Sequence, residues 1–167
     1  MLEVLDHEYF MGLSLREADR AMACEEVPVG AVLVGLDGVV WAHGHNLTVT
    51  QRDATAHAEI VALRRASALL RNARLSGTVL YVTLEPCPMC LGALIQARVD
   101  GVVFGAFDPK AGAAGSVVDL TRPRCFHHSV AVLGGVRRDE CAQRLARFFQ
   151  DRRKPVHRRC GEVPKWS

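Results

Sequence analysis

No apolar run among the 167 residues approaches the roughly 20 that cross a bilayer, which excludes a membrane-spanning helix. The opening MLEVLDHEYF lacks the basic segment followed by an apolar one that marks a secretory leader. Repeats, low-complexity blocks and domain linkers are missing too. The expectation is therefore one domain over residues 1–167, large enough for a substantial core. Without a leader the expected compartment is the reducing cytoplasm, where six cysteines argue against a disulfide framework. That leaves metal binding, chemistry or plain burial. The rest of the composition, 49% hydrophobic and 23% charged, is that of an ordinary globular protein.

The net charge of +3 is unevenly spread. Between Arg144 and Lys165, eight Lys/Arg stand against two acids, Asp151 and Glu162, while the remainder sums to −3. A basic end of this kind, including DRRKPVHRR, is either a solvated helix terminus or a polyanion-binding edge. Composition does not choose between them.

Hydrophobic periodicity predicts a helix from about Asp6 to Glu25, with Phe10, Leu13, Ala18, Ala21 and Met22 on one face. VGAVLV and VVWAHG flank Leu36-Asp37-Gly38, a hairpin signal. Thr55 is the expected N-cap of a helix running through AHAEIVALRRASALL. GTVLYVTL is continuously apolar and reads as a buried strand. Pro86 is expected to open a helix reaching about Arg98. GVVFGA and SVAVLGG supply two more strands, and DECAQRLARFFQDRR the closing helix. Strands alternating with helices predict an α/β sheet covered on both faces.

Cys87 and Cys90 fall one turn apart near a helix start, where free N–H groups and the helix dipole favour thiolate over thiol. A C-x-x-C pair by itself also suits redox chemistry or burial. His57 in TAHAEI, likewise at a helix start, changes the balance: H-x-E upstream of P-C-x-x-C is a zinc pattern. Two helix N-termini can then converge on one ion. Three protein ligands leave a position for water, as in a catalytic site. No fourth residue has matching spacing. Cys24, Cys141 and Cys160 are isolated, and His43 and His45 suit strand-end packing. Cys125, His127 and His128 form a weaker second candidate in an irregular segment. Glu59, two residues from His57, can face the open position without ligating. One imidazole and two thiolates neutralise Zn²⁺, so a carboxylate that accepts the proton of water becomes important. Glu85, a rival carboxylate before a proline, suits a structural role.

These residues resemble the zinc-dependent nucleoside and nucleobase deaminases, and within them the TadA-type tRNA adenosine deaminase branch. The likeness runs through VPVGAVLV, Asn46, TAHAEI, LYVTLEPCPMC, VVFGAFD, GAAGS, DEC and the late FF followed by RR. The resemblance implies a three-layer α/β/α sandwich around a mixed five-stranded sheet of the cytidine deaminase type. It implies one Zn²⁺ per subunit on His57, Cys87 and Cys90, Glu59 as proton carrier, and Asn46 bonded to a flipped nucleotide. Asp108, Lys110, Phe149, Arg152 and Arg153 would touch RNA. The implied reaction is hydrolysis of a tRNA wobble adenosine to inosine with release of ammonia, by a homodimer without membrane attachment. A free-base deaminase of the guanine or cytosine type, and a non-catalytic zinc-binding RNA module, are the alternatives. Two departures are visible: Ala54 replaces a common proline, and His127 stands where asparagine is frequent.

Overall fold

The computed structural model describes residues 5–121 and 126–153. Five strands form one mixed sheet: β1 (Gly30–Gly35), β2 (Val40–His45), β3 (Thr78–Leu84), β4 (Gly101–Ala106) and β5 (Ala131–Gly134). Their spatial order is β2-β1-β3-β4-β5. β1 runs antiparallel to both β2 and β3, whereas β3, β4 and β5 are mutually parallel.

The two faces are covered by different helices, α1 (His7–Ala23) and α4 (Arg138–Arg153) on one, α2 (Ala58–Leu70) and α3 (Pro88–Gln96) on the other. Successive residues of β3 show why its sequence does not alternate. Val79 and Tyr81 pack with Phe10, Met11 and Cys141, while Leu80 and Val82 pack with Ala62, Leu91 and Leu94. A strand buried on both faces is apolar at successive positions rather than alternate ones. The expected three-layer α/β/α sandwich is thus observed.

Two helix starts differ from expectation, for local reasons. Thr55 does not cap α2. Its backbone N–H and hydroxyl both donate to Asp53 Oδ1, at 2.8 and 2.6 Å, the chain turns at Ala54 and Thr55, and His57, in extended conformation, becomes the N-cap. Pro86 does not open α3. Cys87 precedes Pro88, and a residue before proline is kept out of the helical region. Cys87 is accordingly extended (φ −74°, ψ 170°) and caps a helix whose first residue is Pro88. α1 also ends two residues early, leaving Cys24 exposed as its C-cap. Cys125, Cys160 and the tail beyond Arg153 lie outside the described residues.

Strand direction brings one end of the sheet together. The carboxyl ends of β2, β3 and β4 and the start of β1 all lie on the same side, since Gly30 pairs with His45 and Ala31 with Val82. Segments leaving that edge carry Val27–Val29, Asn46, Glu85–Cys87 and Asp108. Gly44 lets α2 reach it: a Cβ there would collide with the Ala58 carbonyl and the Ala62 backbone nitrogen.

Candidate metal centre

α2 and α3 present their N-termini to the same point. His57 and Cys87 are both N-caps in extended conformation, and Cys90 lies in the first turn of α3. The His57 Nδ1 is 3.7 Å from Cys87 Sγ and 3.5 Å from Cys90 Sγ. All three ligand atoms lie within 4.8 Å of one another, and among the described residues no other such group of three occurs. Tetrahedral zinc, about 2.3 Å from sulfur and 2.0–2.1 Å from nitrogen, holds such donors about 3.6 Å apart. The donor set therefore fits zinc in both chemistry and spacing. His43 and His45 do not approach this centre; they face buried Glu17, with His45 Nδ1 3.0 Å from its carboxylate.

Electrostatics agree with the spacing. A hydrogen bond from Cys90 holds the Cys87 thiol down at about 4, against burial and with His57 assisting. That bond and burial push Cys90 up in turn. The two thiols thus share one proton, which an ion must displace. His57 is raised, first by its bond to Cys87. Glu59, 4% exposed in the first turn of α2, does not join the ligand atoms. Burial pushes its carboxyl up to about 7, opposed by its own backbone N–H and by His57.

A cavity of about 250 Å³ opens beside the cluster. His57, Glu59, Cys87, Asn46 and Asp108 line it, together with Thr48 and Glu85. Of the other residues expected to meet RNA, Lys110 is exposed beside Asp108, to whose carboxylate its N–H donates at 2.9 Å. Phe149, Arg152 and Arg153 lie on α4 and do not line the cavity. Phe149 is 44% exposed, whereas its neighbour Phe148 is buried. The Arg152 guanidinium sits 4.5 Å from the centre of the Phe148 ring and donates to the Glu25 carbonyl at the end of α1. His128 bonds the Val99 carbonyl at 2.8 Å.

Two buried carboxylates shape the cavity walls. Glu85 accepts from the N–H groups of Asp108, Ala114 and Ser116 at 3.0–3.1 Å and from the Ser116 hydroxyl, tying the loop after β4 to the end of β3. Gly112 is required beneath it, because any Cβ would strike that carboxylate. Glu26 holds the opposite wall. Its Oε1 accepts from Val49 N at 2.9 Å and Thr50 N at 2.7 Å, and its Oε2 from Asn46 Nδ2 and Thr48 Oγ1 at 3.2 Å. Sequence reading overlooked Glu26, since a glutamate just past a helix end looks solvated. Only the Val-Pro-Val stretch after it hints that the chain turns inward there.

A mixed sheet with a His/Cys/Cys cluster at the carboxyl edge of its parallel strands, fed by two helix N-termini, defines a zinc-site α/β protein. Residues 5–106 match the model of the cytidine and deoxycytidylate deaminase zinc-binding region. The chain belongs to that family and, within it, to the TadA-type tRNA adenosine deaminases. The tRNA-specific adenosine deaminase of Bacillus subtilis is 46% identical over 147 residues, 88% of this chain and 91% of that one. Its counterpart in Haemophilus influenzae is also 46% identical, over 88% of this chain and 85% of its own. A solved structure from work on A-to-I editing by tRNA:A34 deaminases at the wobble position superposes with a TM-score of 0.77. It is 47% identical and covers 82% of this chain and 99% of that one. The chain is accordingly a zinc-dependent hydrolytic deaminase.

Proposed function

We propose that the protein hydrolyses the wobble adenosine of a tRNA anticodon to inosine, releasing ammonia. The observation that carries this is the His57, Cys87 and Cys90 cluster standing beside a cavity that buried Glu59 lines with His57 and Cys87. Relatives 46% identical are tRNA-specific adenosine deaminases.

In this reading His57 Nδ1 and the Cys87 and Cys90 sulfurs hold one Zn²⁺, which when bound activates water as a nucleophile near neutral pH. Glu59 does the proton work. With a carboxyl balanced near 7, it takes a proton from the attacking water and delivers it to the ring nitrogen beside the purine C6. As the C6–amine bond breaks, it passes the remaining hydroxyl proton to the departing ammonia, leaving a carbonyl. Asn46 holds the flipped nucleotide, and Asp108 and Lys110 contact the RNA at the cavity mouth. Phe149, Arg152 and Arg153 extend that surface along α4. An anticodon-loop base is already unpaired, so turning it into the cavity costs less than extraction from a duplex. The same proposal takes residues 1–167 as a single deaminase domain with a basic C-terminal end over about 144–167, working in the cytoplasm as a homodimer.

The test offers the protein an anticodon stem-loop with a wobble adenosine, and separately free guanine, cytosine and adenosine, and weighs the products by mass. Loss of one amine equivalent, confined to the stem-loop, is expected. Turnover of a free base alone would assign the protein to nucleobase deaminases, and no product from any substrate would favour a binding module.

A further inference from the structure

Glu26 is fully buried between α1 and β1, takes no part in the chemistry proposed above, and yet touches the cavity wall through two residues that line it. Burial alone would raise its carboxyl. Hydrogen bonds from Thr50, Thr48 and Val49 outweigh that and hold it below the usual carboxylate value. An ionised carboxylate accepts hydrogen bonds and cannot donate them. Only the nitrogen of the Asn46 amide can therefore face it. That nitrogen faces two acceptors at once, Glu26 Oε2 and Thr48 Oγ1, each at 3.2 Å.

The amide oxygen is left over. Asn46 Oδ1 has no hydrogen-bond partner among the described residues, and no buried side-chain polar atom there lacks one, so this oxygen is on the open side. Asn46 itself lines the cavity. We propose that Glu26 is a positioning residue that locks the Asn46 amide with its oxygen toward the cavity, so that this wall selects an N–H or O–H donor on the bound nucleotide. Ring nitrogens of adenine are acceptors, which leaves the 6-amino group and the ribose hydroxyls as the groups such an oxygen reads. This rests on the substrate-binding role proposed for Asn46 and adds what sets its polarity.

Glu26→Gln makes the idea testable. Glutamine keeps an oxygen for the Val49 and Thr50 N–H groups but turns its own NH₂ toward Asn46, which then flips and offers a donor to the cavity. On an anticodon stem-loop, KM is expected to rise roughly 10- to 100-fold while kcat stays within a few-fold. Zinc content and thermal midpoint should remain near wild type. The deciding measurement is a cycle with Asn46→Ala. If Glu26 acts through Asn46, Glu26→Gln costs less than about twofold in kcat/KM once Asn46 is alanine. Full additivity would overturn the positioning role while sparing the role of Asn46. Wild-type kinetics for Asn46→Ala alone would overturn both. Should Glu26→Gln fail to fold, Thr48→Val removes the second acceptor of the Asn46 nitrogen. Its KM increase, about 3- to 10-fold, should likewise vanish in the Asn46→Ala background, and additivity would again refute the proposal.

Discussion

Replacing Gly44 with alanine perturbs the metal centre from a strand that does not touch it. The backbone at position 44 tolerates an L-residue, so the whole effect is steric. A Cβ would stand 2.6 Å from Ala62 N and 3.1 Å from the Ala62 side chain, where ordinary contact starts near 3.4 Å. Relief requires the first turns of α2 to back away from β2 by at least about 0.8 Å, the shortfall at Ala62 N, and by more at the Ala58 carbonyl, which stands nearer still. His57 and Glu59 ride on that end of the helix; Cys87 and Cys90 ride on α3 and stay behind. Overpacking of this size costs about 1–3 kcal/mol, or roughly 2–10 °C in thermal midpoint for a domain of this length. Displacing catalytic groups by nearly an ångström costs about 100-fold in rate. The assay is a zinc competition titration, thermal unfolding with and without zinc, and single-turnover deamination. Weaker zinc binding and slower chemistry in a folded protein are expected. A folded Gly44→Ala protein with wild-type zinc affinity and rate would refute the claim that this close approach seats the site.

Glu59→Gln should cut turnover about 10²- to 10⁴-fold with zinc content unchanged, read by single-turnover kinetics and metal analysis; a near-wild-type rate would remove Glu59 from the proton path. Zinc binding must expel the proton that Cys87 and Cys90 share, with Cys87 held at about 4 and Cys90 pushed up. Apparent affinity should thus climb as pH rises from 6 to 8 and fall as protons compete, and binding measured in buffers of different ionisation heat should show proton release. A pH-independent affinity with no release would contradict the paired-thiol description. tRNA affinity should drop steeply with salt, and neutralising Arg152 and Arg153 should flatten the log–log slope by about one unit for each phosphate they neutralise. An unchanged slope would make that end of α4 ordinary solvated surface.

The metal cluster was legible because its information is local. H-x-E and P-C-x-x-C each fix two side chains within one turn of a helix start, and only the pairing of the two starts had to come from the fold. The buried strands were legible for a related reason: a central strand apolar at four successive positions, as β3 is from Val79 to Val82, leaves few alternatives. The helix caps misled because the rules compete. Thr55 is a good N-cap residue, but Asp53 occupies its hydroxyl; Pro86 is a good helix opener, but Pro88 forbids the residue between them from joining the helix.

The cavity walls were illegible, and the reason lies in what a carboxylate can do at a distance in sequence. Glu26 reaches Asn46, Thr48, Val49 and Thr50, some 20 to 24 residues away, and Glu85 reaches Asp108, Ala114 and Ser116 across 23 to 31. No period or spacing links such partners; only the topology that gathers four strand ends at one edge of the sheet does. Once it has done so, each loop arrives with N–H groups that burial could not leave unsatisfied, and one carboxyl group answers several of them at once. Burying a polar group is costly unless its acceptor capacity is filled, and the loops fill it. The carboxylates and the loops are therefore each other's condition. A loop of different sequence at either wall would need a different buried anchor, which is why the cavity's recognition surface and its least exposed acids have to be read together.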